Sequence, residues 1–148
     1  MVLLQTALAL WLGLLLASGL HELGHAVVAR GAGARRIQLR VGYGPGLFHL
    51  CLAGGRLQLG LLFPVGGCCS FEGDLPWRAA LAERAAGSLV NLGIAALLAL
   101  AWPMIAGVVA WSVLVAQLAV GLGQLVPLGE LDGAQLKRLL HSPQRTSP

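Results

Sequence analysis

The sequence predicts an all-α polytopic membrane protein: three transmembrane helices, with a small membrane-associated β-hairpin segment between the first and the second. Three observations predict it. Hydrophobic residues make up 57% of the 148 residues and charged residues only 11%, against about 45–50% and about 25% in ordinary soluble chains. Three long stretches carry no charge at all. The basic residues fall in two blocks, placed as membrane topology requires.

The length suits one domain, residues 1–148. The first span covers about residues 2–30. It is uncharged from Val2 to Leu20, and its helical pattern continues through His21 and His25 to Arg30. At 1.5 Å per residue such a helix is about 43 Å long, enough to cross a ~30 Å hydrocarbon core. A cleaved signal peptide would need a basic region ahead of its apolar run. None precedes Leu3, so the stretch is read as a span. The second span, about residues 85–102, is flanked by Trp77 and Trp102 as interfacial aromatics. Trp102-Pro103 breaks it. The third span follows at once, over about residues 104–126, and Pro127 and Gly129 end it.

All ten Lys and Arg lie between spans one and two (Arg30, Arg35, Arg36, Arg40, Arg56, Arg78, Arg84) or after span three (Lys137, Arg138, Arg145). The positive-inside bias then puts the central segment and the C-terminus in the cytoplasm and the N-terminus outside. The expected location is a bacterial-type cell membrane, with the lipid bilayer as the first partner. Nucleic acid is excluded as a partner, because the basic residues form no stripe with interleaved aromatics.

Residues 35–71 change character. Ile37-Gln38-Leu39-Arg40-Val41 alternates apolar and polar with the period of a strand. Gly42 to Gly46 reads as a turn, residues 47–52 and 57–63 as the two strands of a hairpin, and Pro64-Val65-Gly66-Gly67 as its end. Strands this apolar and this short are expected to dip into the cytoplasmic leaflet, where their backbone groups must be paired or line a cavity. A substrate unwound from its own helix is expected to add a strand to the 47–63 hairpin, where proline at Leu59 or Leu61 should interfere. The three cysteines, Cys51, Cys68 and Cys69, form no disulfide framework, since the set is odd and two are adjacent. They read as reduced thiols used as small apolar residues, with a place near a metal for Cys68 or Cys69 as the other reading. His49 and His141 read as an ordinary loop residue and a tail residue.

The chemistry lies in His21-Glu22-Leu23-Gly24-His25, an H-E-x-x-H motif. Positions i and i+4 of a helix share a face, so both imidazoles can reach one metal ion. Glu22, one step round the helix, can instead reach a metal-bound water as general base. Three ionisable groups within five residues of a membrane helix point to function. A catalytic zinc takes three protein ligands and keeps a fourth position open. Asp132, in Leu131-Asp132-Gly133, is the candidate third ligand, with Glu130 as a rival. The aspartate also fits an N-cap, with Gln135 three residues on as in a capping box. Spans one and three run in the same direction, which brings both motifs to the same face of the bilayer. A His/His/carboxylate set suits zinc, Zn2+, at one ion per chain.

The chain resembles the site-2 protease family of intramembrane zinc metalloproteases over nearly all of residues 1–140. His21-Glu22-Leu23-Gly24-His25-Ala26 resembles the family's active-site helix. Val41-Gly42-Tyr43-Gly44-Pro45 and Phe63-Pro64-Val65-Gly66-Gly67 resemble the flanks of its re-entrant β-segment. Gly87-Ser88-Leu89-Val90-Asn91 resembles the G-x-x-x-N of its second core helix, and Pro127 through Leu131-Asp132-Gly133 its metal-ligating N-x-x-P-x-x-x-x-D-G motif. The 102–104 turn leaves no room for the PDZ insert frequent in the family, so the likeness is to a compact form. Gln124 stands where the family usually has Asn, and Gly129 where Pro is common.

The resemblance implies zinc ligation by His21, His25 and Asp132 and general-base catalysis by Glu22. The implied reaction is hydrolysis of peptide bonds in transmembrane segments of membrane-protein substrates. Asn91 is either a donor to the substrate or developing oxyanion, or a helix-packing amide. The rival function is a catalytically silent member that binds membrane segments as an adaptor or chaperone. A silent member would be free to lose any of His21, Glu22, His25 and Asp132, and all four are intact.

Overall fold

The computed structural model describes residues 2–44, 46–52, 55–60 and 63–141, with the backbone alone for 46–52. The chain begins with a 30-residue helix, α1 (Val2–Gly31), that carries the whole H-E-x-x-H motif. Gly33, at φ 95°, ends it by reversing the chain, and the Ala34 amide donates to the Ala29 carbonyl. Four strands follow: β1 (Arg35–Tyr43), β2 (Gly46–Leu52), β3 (Gly55–Gly60) and β4 (Phe63–Glu72). Four helices complete the chain: α2 (Trp77–Leu100), the short α3 (Trp102–Ile105), α4 (Val108–Gln124) and α5 (Asp132–His141).

α1 and α2 are long and apolar enough to cross a membrane, and α4 is a shorter apolar helix. The three pack on one another with an inverted pattern. Leu3, Leu8, Leu12, Leu89, Leu97, Val109 and Trp111 face outward, whereas Ala17, Ala116, Asn91 and Gln117 are fully buried. Helices surrounded by lipid gain nothing from burying leucine and gain contact from small residues that let backbones approach. Gly13 shows this against α4, where an added Cβ would lie 3.2 Å from the Ser112 carbonyl oxygen. Gly24 does the same against α2, 3.0 Å from the Ala86 carbonyl oxygen.

The fold departs from the sequence expectations at three places. The central segment is a four-stranded mixed sheet in the order β2-β3-β1-β4, so the chain is mostly helical but not all-α. The β2/β3 hairpin is present, with Phe48 opposite Leu59 and Cys51 opposite Arg56. Its second strand is central, however, because β1 also pairs with β3 in parallel, Leu39 opposite Leu57. Pro64 to Gly67 do not end the sheet but lie inside β4, antiparallel to β1. β4 is an edge strand, and an edge tolerates a proline that has no N–H to give. The turn at 53–54, Leu61, and the side chains of His49 and Cys51 lie outside the described residues.

The second departure is the start of α2, eight residues ahead of the expected span, at Trp77 directly after Pro76. Proline at the entry of a helix gives up an amide that would be unpaired anyway. The third concerns the last apolar segment. It is broken at Ala106 and Gly107, so α4 has 17 residues, or roughly 25 Å of helix. The corner before it is closed by Trp102 and Trp111, whose rings meet edge to face at 5.7 Å.

Two contacts position the elements around the motif. The Ser18 hydroxyl, one turn before His21, donates to the Pro64 carbonyl at 3.0 Å and accepts from the Gly66 amide at 3.3 Å. This ties β4 alongside α1. The Trp77 indole donates to the Leu139 carbonyl at 3.3 Å, which ties α5 to the start of α2.

Candidate metal centre

His21 and His25 project from one face of α1, and their Nε2 atoms stand 3.1 Å apart. The Asp132 carboxylate, from the first residue of α5, reaches both: Oδ2 lies 2.9 Å from His21 Nε2 and 3.0 Å from His25 Nε2. All three residues are buried. A tetrahedral zinc, with ligands about 2.0–2.1 Å away, spaces them roughly 3.3 Å apart, close to the triangle seen here.

The tautomers make the same point. His25 Nδ1 lies 2.6 Å from the Glu83 carbonyl oxygen and must donate its hydrogen there. A neutral His25 then presents a bare lone pair at Nε2, aimed at a carboxylate oxygen. Two lone pairs in contact need a cation between them, a proton or a metal ion. The formal charges agree. Three buried carboxylates, Glu22, Glu83 and Asp132, face one guanidinium, Arg84, which leaves −2. A divalent ion fits this donor set.

Asp132 does not serve as a cap. Its Oδ2 is directed at the histidines, while the Gln135 amide nitrogen donates to the Leu131 carbonyl and the Gln135 side chain to the Glu130 carbonyl. Gly133 makes that approach feasible. A Cβ there would overlap the Leu125 carbonyl, where the chain leaves α4. Burial acts to raise the Asp132 carboxyl, but the contacts with His21 and His25 outweigh it and hold the group well below the usual carboxylate range. Glu130, the rival, is exposed and pairs with Arg138 at 3.4 Å.

Glu22 is buried beside the two histidines and, with them, lines a cavity of about 620 Å³. Its Cγ and Oε1 both lie 3.0 Å from where a Cβ of Gly67 would stand, so β4 forms the opposite wall. Five consecutive β4 residues, Val65 to Cys69, line the same cavity, as does Gln124. Side chains alternate along a strand, so an unbroken run means that the edge of β4 away from β1 borders the site. Cys68 and Cys69 belong to this wall and not to the His21, His25 and Asp132 group that can hold a metal. Burial pushes the Cys69 thiol up to about 12.

Asn91 is not brought to the cavity wall. It is fully buried, and its Nδ2 donates to the Ala17 carbonyl at 3.1 Å, bridging α2 to α1. The residue of its G-x-x-x-N segment that does touch the centre is Gly87. A Cβ there would lie 2.6 Å from ring atoms of both His21 and His25. Sequence reasoning missed Glu83, which contacts His25 through backbone and side chain alike. The signal was available: Glu83 precedes Gly87 by four residues, and that spacing puts both on one helix face.

The model of Peptidase family M50 matches residues 8–111. The chain belongs to that family, the site-2 protease family. The matched stretch carries His21, Glu22, His25 and Gly87, and Asp132 lies beyond its end. No curated protein matches the chain. M50 membership and two helices fit to cross a membrane mark a membrane protein, and the buried His21, His25 and Asp132 form a group that can hold a metal, typical of zinc M50 peptidases.

Proposed function

We propose that the chain is an intramembrane zinc endopeptidase that hydrolyses peptide bonds in transmembrane segments of membrane-protein substrates. The observation that carries this reading is the convergence of His21, His25 and Asp132 next to a buried Glu22, in a cavity bordered by a strand edge. The three ligands would hold one zinc ion, which when bound supplies Lewis acidity toward water and the substrate carbonyl. Glu22 takes a proton from the attacking water onto its carboxylate and passes it to the leaving amine nitrogen. The edge of β4 away from β1, beyond the stretch that Ser18 occupies at Pro64 and Gly66, receives the substrate as an added strand. A helical segment shields its own peptide bonds, and the strand edge replaces the hydrogen bonds lost on unwinding. The expected docking strand is therefore β4 and not the 47–63 hairpin: β3 is paired on both sides, and β2 is the edge of the sheet farthest from β4, which lines the cavity. The charge distribution supports an N-out, C-in orientation with the centre toward the cytoplasmic face.

The test uses full-length protein in liposomes with a panel of single-span membrane proteins. Wild type should cut at least one within its transmembrane segment. Glu22→Gln should lower the rate by about 10²–10⁴-fold, the usual contribution of a general base, with zinc content unchanged. Zinc-loaded wild type that cuts none of the panel, or a Glu22→Gln protein within about tenfold of it, would overturn the reading.

A further inference from the structure

We infer that Glu83 is a positioning residue of the metal centre: its carboxylate fixes the His25 ring and balances the charge of the bound ion, while Arg84 holds the carboxylate in place. The inference rests on the metal reading above and goes beyond it to a residue outside both the H-E-x-x-H and the D-G motifs.

Glu83 is 1% exposed. A carboxylate so deeply buried persists only where other charges compensate it. One oxygen, Oε2, lies 3.2 Å from Arg84 Nε. The other, Oε1, lies 3.4 Å from His25 Nδ1 and has no hydrogen-bond partner among the described residues. The same Nδ1 already donates to the Glu83 carbonyl at 2.6 Å. One residue thus holds the far side of the His25 ring with its backbone and turns a buried negative charge toward it. Metal-bound histidines regularly have such a partner behind them, which sets the tautomer and makes the ring a stronger donor. His21 has none: its Nδ1 is buried without a hydrogen-bond partner among the described residues.

A surface ion pair between Glu83 and Arg84 would give a different arrangement. It would leave the carboxylate in solvent, where such a pair is most easily hydrated. Here the guanidinium is partly exposed and the carboxylate is not, with side-chain exposures of 31% and 1%. The carboxylate is buried on the histidine side. Helix geometry fixes that side, because Glu83 and Gly87 are one turn apart and Gly87 abuts both imidazoles.

The test is zinc affinity of the purified full-length protein, measured by competition with a chromophoric chelator, alongside far-UV circular dichroism and size exclusion. Glu83→Gln keeps the shape and the backbone carbonyl but removes the charge, and Glu83→Asp keeps the charge but withdraws it from Nδ1. Glu83→Gln should bind zinc about 10–100-fold more weakly with unchanged helix content, and Glu83→Asp should be weakened by more than about twofold but less than Glu83→Gln. A merely structural role would lower folded yield without changing the affinity of the folded fraction. Either variant binding zinc within about twofold of wild type would overturn the inference, and Glu83→Asp alone decides if Glu83→Gln does not fold. Wild type that binds no zinc would instead overturn the metal reading, and this inference with it.

Discussion

Asp132 and His21 are 111 residues apart in the chain and 2.9 Å apart in the fold. The carboxylate could have served as a helix cap, with Glu130 as the ligand. The two roles differ in what alanine does. A lost cap costs about 1 kcal/mol and spares the metal, whereas a lost ligand empties or greatly weakens the site. Asp132→Ala should lose zinc and activity together, and Glu130→Ala should retain both. Elemental analysis of the two purified variants checks this, and zinc retained by Asp132→Ala would overturn its assignment as a ligand.

Gly87 sets the clearance for the histidines. A methyl group there would stand 2.6 Å from ring nitrogens of both His21 and His25. The neighbouring backbone is α2 itself, so the imidazoles must move. Gly87→Ala should therefore lose at least about tenfold in zinc affinity while its helix content stays at the wild-type level. An alanine variant that binds zinc like wild type would mean that the rings have slack which the packing does not suggest.

The two adjacent cysteines of β4 should behave differently. Cys68 is exposed and Cys69 is half-buried, with burial as the largest influence holding its thiol near 12. At about pH 8 Cys69 is therefore held as the thiol, and the thiolate is the reactive form. Maleimide should label Cys68 readily and Cys69 slowly, as peptide mapping would show. In a Glu22→Gln background, Cys68 should also form a disulfide with a cysteine placed near the scissile bond, whereas a cysteine introduced at Leu59 should not. Crosslinking at Leu59 alone would move the substrate strand back to the hairpin.

The proposed orientation rests on charge alone and is tested separately. Reporter fusions should place the C-terminus, after Lys137 and Arg138, on the cytoplasmic side. A C-terminus outside would put the metal centre toward the opposite face from the one proposed.

What the sequence could determine by itself follows from local periods. A helix repeats every 3.6 residues, so His21 and His25 had to share a face and Glu22 had to stand beside them, whatever the rest of the chain did. The uncharged runs announced α1 and α2 because a bilayer selects on composition over about twenty residues. The strand rhythm of residues 37–41 announced β1. Beyond that range the sequence was silent or ambiguous. Pro64 and the glycines of β4 read as an end, because the same residues terminate a strand or tolerate a sheet edge according to which neighbours lie beside them. The parallel pairing of β1 with β3, the approach of β4 to Glu22, and the presence of Glu83 behind His25 all join segments distant in the chain. Asp132 read as a ligand or a cap until α4 and α5 were placed, and only their packing brings one of its carboxylate oxygens against both imidazoles. Helix and strand periods act between neighbours in the chain. A metal centre is a convergence of distant side chains, and only the packing of α1, α2, α5 and the sheet brings those side chains together.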